Sequence, residues 1–276
     1  MNQLGKNLPA GAHHYRAFVG PPEKYDLMSA TQFGLLTFLG LREHHYLLDI
    51  GCGSLRGGKI LIPYLLPERY FGIEPEEWLI EEGITNEIGR DILQIKRPVF
   101  SYDRSFNLTQ FHQKFDFILA QSIFSHASQQ QIRKCLSEAK QVMITTSIFA
   151  ATFVKGEKDY IGDEWVYPDS VTYTLKHMSR LAEEQGLICK PIDWPHPNQQ
   201  TWIGIVFPEN EKNIPDWTDR VKWLYLENEV RVCKERLAKI EDHPYVKLGI
   251  KINRWIQRVR RWSLRTWPHK TDGGLI

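Results

Sequence analysis

Residues 46–58 read Tyr46-Leu47-Leu48-Asp49-Ile50-Gly51-Cys52-Gly53-Ser54-Leu55-Arg56-Gly57-Gly58, an apolar run that passes through two closely spaced glycines into a helical pattern. The order predicts a buried strand, a tight turn and a helix start. Glycines suit that turn because a side chain would keep a ligand from the backbone, and the helix start beyond it offers free N–H groups. A turn that only joins two elements needs fewer glycines.

Outward from this turn, short apolar runs alternate with longer amphipathic stretches over residues 46–207, the pattern of a parallel sheet covered by helices on both faces. Strands are predicted at 46–50, 70–73, 99–102, 115–120, 142–148, 187–192 and 202–207. Helices are predicted at 58–66, 76–88, 129–140 and 170–185, with Ser128 capping the third. Residues 193–200 join the last two strands through a loop holding Pro195 and Pro197, so these strands pair antiparallel. A further helix is predicted at 25–39, ahead of the sheet. Two more, at 215–239 and 245–264, are parted by the Glu241-Asp242-His243-Pro244 break. The expected fold is α/β: a seven-stranded, mostly parallel, doubly wound sheet with its last strand antiparallel, plus a C-terminal helical extension. The expected organisation is an N-terminal cap or lid (1–45), a catalytic domain (46–210) and a basic helical extension (211–276).

Composition excludes several classes. Of 276 residues, 42% are hydrophobic and 25% charged, which argues against disorder and fibrous repeats. The longest apolar run, 142–154, is too short for a bilayer span of ~20 residues, and residues 1–13 contain no signal-peptide stretch. The four cysteines form no C-x-x-C pair, and His13-His14 and His44-His45 have no further ligands at metal spacing. No metal is expected, and the expected location is the cytoplasm. Charge is uneven: residues 243–271 hold eight of the 35 Lys and Arg and no acid, leaving 27 basic against 33 acidic residues elsewhere.

A dinucleotide fingerprint would place a third glycine three residues after Gly53, where Arg56 stands instead. That bulk disfavours a pyrophosphate and is better tolerated by a cofactor without phosphate. Glu74, 21 residues after Gly53 at the end of the second strand, can accept hydrogen bonds from ribose hydroxyls.

Leu47-Leu48-Asp49-Ile50-Gly51-Cys52-Gly53, then Tyr70-Phe71-Gly72-Ile73-Glu74-Pro75, then Phe115-Asp116-Phe117-Ile118-Leu119-Ala120-Gln121-Ser122 together resemble the successive motifs of the Rossmann-like class I S-adenosylmethionine methyltransferases. The resemblance covers roughly residues 20–207. More narrowly, residues 51–58 with Ile62-Pro63-Tyr64-Leu65, and Ser122-Ile123-Phe124-Ser125-His126, look like bacterial methyltransferases acting on small molecules or glycans. The resemblance implies S-adenosylmethionine held along Asp49, Gly51, Cys52 and Gly53, with the glycines facing its methionine part. It further implies ribose contacts at Glu74 and neighbouring Pro75, an adenine contact at Asp103, and Gln121 and Ser122 bordering the transferable methyl. Asp103 also reads as a turn former before Arg104-Ser105.

A sulfonium methyl is already activated, so the protein chiefly aligns an acceptor with it. A hydroxyl acceptor gains from a general base, most often histidine. His126 and His196 are the candidates, both in loops at the carboxyl edge of the sheet; His126 reads equally as a helix-capping residue and His196 as part of a proline-rich turn. Tyr160, Trp165, Tyr167 and Tyr173 could wall an acceptor pocket or pack a helix.

Beyond the sheet, Ile252, Trp255, Ile256, Val259 and Trp262 recur at helical spacing beside Arg254, Arg258, Arg261 and Arg265. Residues 245–267 therefore suit an anionic membrane surface, the catalytic domain or a second copy of the chain, whereas no readout motif points to nucleic acid. The leading function is O-methylation of a small molecule or glycan. Alternatives are a non-catalytic cofactor-binding module acting through its basic helices and an NAD-dependent oxidoreductase, the latter disfavoured by Arg56. Because all cofactor motifs precede residue 207, deleting the chain from His243 onward should leave S-adenosylmethionine binding unchanged. Calorimetry on the shortened chain checks this, and lost binding in a protein that still melts cooperatively refutes it.

Overall fold

The computed structural model describes residues 4–214, 232–240 and 242–244. The chain divides into two compact units, Met1–Val221 and Lys222–Ile276; in the second, residues 232–240 are helical. The basic helix expected at 245–264, with the contacts read for 245–267, lies outside the described residues.

The first unit contains the strands β1 (Leu47–Ile50), β2 (Tyr70–Ile73), β3 (Val99–Ser101), β4 (Phe115–Ala120), β5 (Met143–Lys155), β6 (Thr172–Tyr173), β7 (Ile188–Ile192) and β8 (Thr201–Val206). Its helices are α1 (Tyr15–Phe18), α2 (Tyr25–Phe38), α3 (Gly58–Tyr64), α4 (Glu77–Gly83), α5 (Arg90–Lys96), α6 (Gln129–Val142) and α7 (Leu175–Glu183). The sheet order is β3-β2-β1-β4-β5-β8-β7, with β6 paired to β5 off this path. Strands β1 to β5 run parallel, while β8 inserts antiparallel between β5 and β7, as the proline loop predicts. The chain leaves β1 in one direction toward β2 and β3 and returns on its other side as β4. That reversal opens a crevice outside the carboxyl ends of β1 and β4.

Strand alternation builds a core on each face of the sheet. Leu47, Phe117 and Leu119 face one side with Leu35, Leu36, Leu61 and Ile62; Leu48, Ile50, Ile118 and Ala120 face the other with Ile132, Leu136, Met178 and Leu181. Apart from Ala120, each such side chain contributes about 1.5–3 kcal/mol when fully buried.

Three expectations shift. β5 continues seven residues past the predicted end at Ile148. Its register jumps opposite Phe115 and Phe117, where Ser147 Oγ donates to Phe115 O at 2.6 Å, so the predicted portion is the irregular entry to the buried run that follows. The helix predicted from 170 begins at Leu175, because Thr172 and Tyr173 pair with Val154 and Lys155 and Thr174 caps the helix. The helix predicted over 76–88 divides into α4 and a π-helical turn, Ile84–Ile88, closed by Gly89 at φ 82°. The following α5 buries none of its residues fully and only leans Ile92 and Leu93 on the core, so its seven residues give a short apolar signal.

No helix among the described residues is long and apolar enough to cross a membrane. Cys52, Cys135, Cys189 and Cys233 are free thiols.

Ser128 forms a reciprocal capping box with Gln131 at the start of α6, as its sequence position predicts. Ser128→Ala should lower stability by about 1 kcal/mol in urea unfolding. An unchanged midpoint would show that the box does not hold the helix.

Candidate functional site

The turn after β1 takes left-handed backbone at Gly51 (φ +69°) and Gly53 (φ +55°). A Cβ on Gly51 would lie 2.1 Å from Ile123 Cδ1, and one on Gly53 would lie 2.7 Å from Val19 Cγ1, so a side chain at either position would displace a neighbour as well as strain the left-handed backbone. The turn is tied to the end of β2: the Gly51 and Cys52 amides donate to Ile73 O at 2.7 and 3.0 Å. The Gly53 amide donates to Glu74 Oε2 at 3.0 Å, and the Glu76 amide donates to Oε1 at 3.0 Å. Burial pushes the Glu74 carboxyl up to about 7 despite these two hydrogen bonds. Asp49 is also buried, accepts from Tyr70 Oη at 2.7 Å, and is pushed up to about 6 by desolvation.

A cavity of about 560 Å³ opens over this turn. Gly51, Gly53, Glu74, Pro75, Asp103, Gln121 and Ser122 all line it, whereas Asp49 and Cys52 border a small recess with Gln32 and Gly57. Asp103 serves its own turn as well, accepting from the Ser105 amide, Ser105 Oγ and the Asn107 amide, each at 2.8 Å. Ser122, at the end of β4, is held at φ +60°, a sparsely populated conformation for a non-glycine residue, with its amide donating to Thr152 Oγ1 at 2.7 Å.

The two candidate histidines part company. His126 lines the cavity; its Nδ1 lies 2.9 Å from Val166 O and 2.8 Å from Asp169 O. Both partners only accept, so Nδ1 carries the hydrogen and neutral Nε2 keeps its lone pair. Burial lowers the pKa of His126 and favours that neutral form. Trp165 and Tyr167 flank the ring at centroid distances of 5.6 and 5.1 Å. His196 is not among the cavity-lining residues. Its Nδ1 accepts from the Asn198 and Gln200 amides, both at 3.2 Å, and its Nε2 sits 3.1 Å from Gln121 Nε2. Burial, then the charges of Arg56 and Lys24, push its pKa down to about 3.

Several lining residues escape the sequence reading. Phe18 and Val19 reach the cavity from the N-terminal segment, and Arg56, read from the sequence only as an obstacle, also lines it. Arg56 Nη1 donates to Val19 O at 2.6 Å and Nη2 donates to Gln121 Oε1. Their signal was local: three apolar residues between Arg16 and Gly20, and one charge inside a turn otherwise made of small and apolar residues.

No protein-family profile and no curated protein matches the sequence. Solved structures do match. Magnesium protoporphyrin IX methyltransferase from Synechocystis PCC 6803, solved with bound S-adenosylmethionine, superposes with a TM-score of 0.51 at 12% identity, covering 67% of this chain and 81% of that one. The glycopeptide N-methyltransferase MtfA, complexed with S-adenosylhomocysteine, gives 0.51 at 10% identity over 66% of this chain and 90% of its own. At such identities the likeness establishes the fold, which is the Rossmann-like fold of these methyltransferases.

Glu74 links the site to pH. Its folded pKa of about 7 lies above the ordinary 4.5, so between these values the folded chain binds the proton more tightly than the unfolded chain. The stability this supplies is full below 4.5 and declines as pH rises toward 7. Thermal melts across that window should show a steeper loss in the wild type than in Glu74→Gln; parallel profiles would contradict the raised pKa.

Proposed function

We propose that the protein is an S-adenosylmethionine-dependent methyltransferase acting on a hydroxyl of a small molecule or glycan. The observation that carries this reading is the 560 Å³ cavity at the switch point between β1 and β4, bounded by the side-chain-free turn at Gly51 and Gly53 and by the buried carboxylate of Glu74. The residues fit the cofactor: Gly51 and Gly53 line the cavity beside Glu74, and each Glu74 oxygen, already holding one amide, keeps lone-pair capacity for a ribose hydroxyl. When bound, S-adenosylmethionine supplies an electrophilic sulfonium methyl that needs no further activation.

The chain's own work is then alignment and proton removal. Phe18, Phe106, Trp165 and Tyr167 wall the cavity, and flat apolar faces suit a sugar or a ring acceptor. His126 Nε2, kept unprotonated by the two carbonyls at Nδ1, takes the hydroxyl proton as the oxygen becomes a nucleophile. His196 Nδ1 is occupied by two amides, so that residue shapes the loop and Gln121 instead.

Calorimetry tests the cofactor: S-adenosylmethionine and S-adenosylhomocysteine should bind and NAD should not, and Glu74→Ala should weaken binding by about 1.5–3 kcal/mol, the range for a hydrogen bond to a charged group. Absence of heat with either ligand, or preference for NAD, refutes the reading. For the base, His126→Asn is the informative variant, since an amide can still donate to the Val166 and Asp169 carbonyls while Nε2 is lost. With an acceptor found by screening labelled-methyl incorporation, turnover should fall by roughly 100-fold or more at unchanged cofactor affinity and melting temperature. Near-normal turnover would leave alignment as the whole mechanism.

A further inference from the structure

Arg56 is a buried cation with no carboxylate in contact. It is 8% exposed, and among the described residues no carboxylate stands within ion-pair distance of it. Its two hydrogen bonds go to neutral oxygens, Val19 O and Gln121 Oε1, and its buried Nε has no partner. Asp49 attracts the guanidinium only through space, its carboxyl being hydrogen-bonded to Tyr70 Oη, and Glu74 is held by the Gly53 and Glu76 amides, so neither fills the free N–H groups of Arg56. Tyr167, which also lines the cavity and feels the Arg56 charge, has a second buried polar atom without a partner, its hydroxyl. A guanidinium held in low dielectric with unused N–H groups is costly unless an anion completes it.

We propose that Arg56 is a carboxylate anchor that takes the α-carboxylate of the cofactor's amino-acid end, with the Tyr167 hydroxyl as a second donor. This rests on the cofactor reading above and names the residue that would fix one end of the ligand. Charge matching carries it. The cavity wall contains two arginines, and the other, Arg104, is exposed and already paired with Glu76 at 3.1 Å. S-adenosylmethionine has one anionic group, its carboxylate. The unpaired cation of the wall and the lone anion of the ligand therefore belong together. Position agrees, since Arg56 follows Gly53 by three residues and lines the same cavity as both glycines of the turn. A planar guanidinium also suits a carboxylate geometrically.

The alternative source of the same chemistry is a carboxylate on the acceptor, and the test separates the two without any acceptor present. Calorimetry of the full chain with S-adenosylmethionine and with decarboxylated S-adenosylmethionine should give a wild-type preference for the former of roughly 10- to 100-fold, the scale of one charge-assisted hydrogen-bonded contact. Arg56→Met should erase that preference by weakening S-adenosylmethionine while leaving the decarboxylated ligand within about twofold, and Arg56→Lys should restore part of it. Equal wild-type affinity for both ligands overturns the proposal and points to an acceptor anion. A preference surviving in Arg56→Met places the carboxylate elsewhere and overturns it too. Equal weakening of both ligands in a variant that still melts cooperatively would make Arg56 a structural residue. The wild-type comparison stands even where a variant fails to fold. A wild type that binds neither ligand refutes the cofactor reading itself, whereas binding without discrimination refutes only the anchor.

Discussion

The site depends on one backbone constraint: the chain leaving β1 must turn through left-handed conformations at Gly51 and Gly53 while pressed against the end of β2. Two amides of that turn share the Ile73 carbonyl, and the next donates to Glu74, so the ends of β1 and β2 and the buried carboxylate are fixed as one piece. Close packing enforces it from behind as well. A Cβ on Gly83, at the end of α4, would lie 2.4 Å from Ser54 O, so that helix leaves no space for the turn to relax.

The N-terminal segment is fastened to the same piece. Tyr25 Oη donates to Ser54 O at 2.8 Å, and the Val19 side chain sits where a Gly53 side chain would be. Farther back, Arg16 and Lys59 both pair with Glu87 and Asp26; Glu87, brought there by the π-helical turn, is almost fully buried. Buried charges of this kind are weak sources of net stability but punish the loss of one partner severely, which makes them effective at holding a segment in one place. Phe18, between Trp78 and Tyr167, thereby becomes part of the cavity wall.

At the end of β4, Gln121 gathers the polar side of the site. Its Oε1 accepts from Gln32 and Arg56, while its Nε2 faces Ser122 Oγ and His196. The imidazoles of His126 and His196 thus meet opposite surroundings: backbone carbonyls fix a proton on one ring's Nδ1, and backbone amides fill the lone pair of the other's. Identical side chains at one sheet edge acquire different chemistry because their loops present opposite ends of the peptide dipole.

Much of this was legible from order along the chain. Alternating apolar runs with period two on strands and near 3.6 on helices specify a covered parallel sheet, Pro195 and Pro197 specify the final hairpin, and the glycines with Glu74 mark the cavity, because each of these signals arises from neighbours in sequence. The rest came only with the tertiary structure. α5 is short and only half-buries Ile92 and Leu93, so its pattern is weak; β6 exists through its pairing with β5; and Arg56 looks like an obstacle until Val19, Gln121 and Tyr167, from 37 residues before it to 111 after it, are seen around it. Which histidine faces the cavity was likewise a matter of long-range contacts, since the carbonyls and amides that decide it depend on how two loops fold back. Local sequence sets backbone geometry and periodicity, whereas burial, charge pairing and tautomer are properties of surroundings that the chain acquires only by closing on itself.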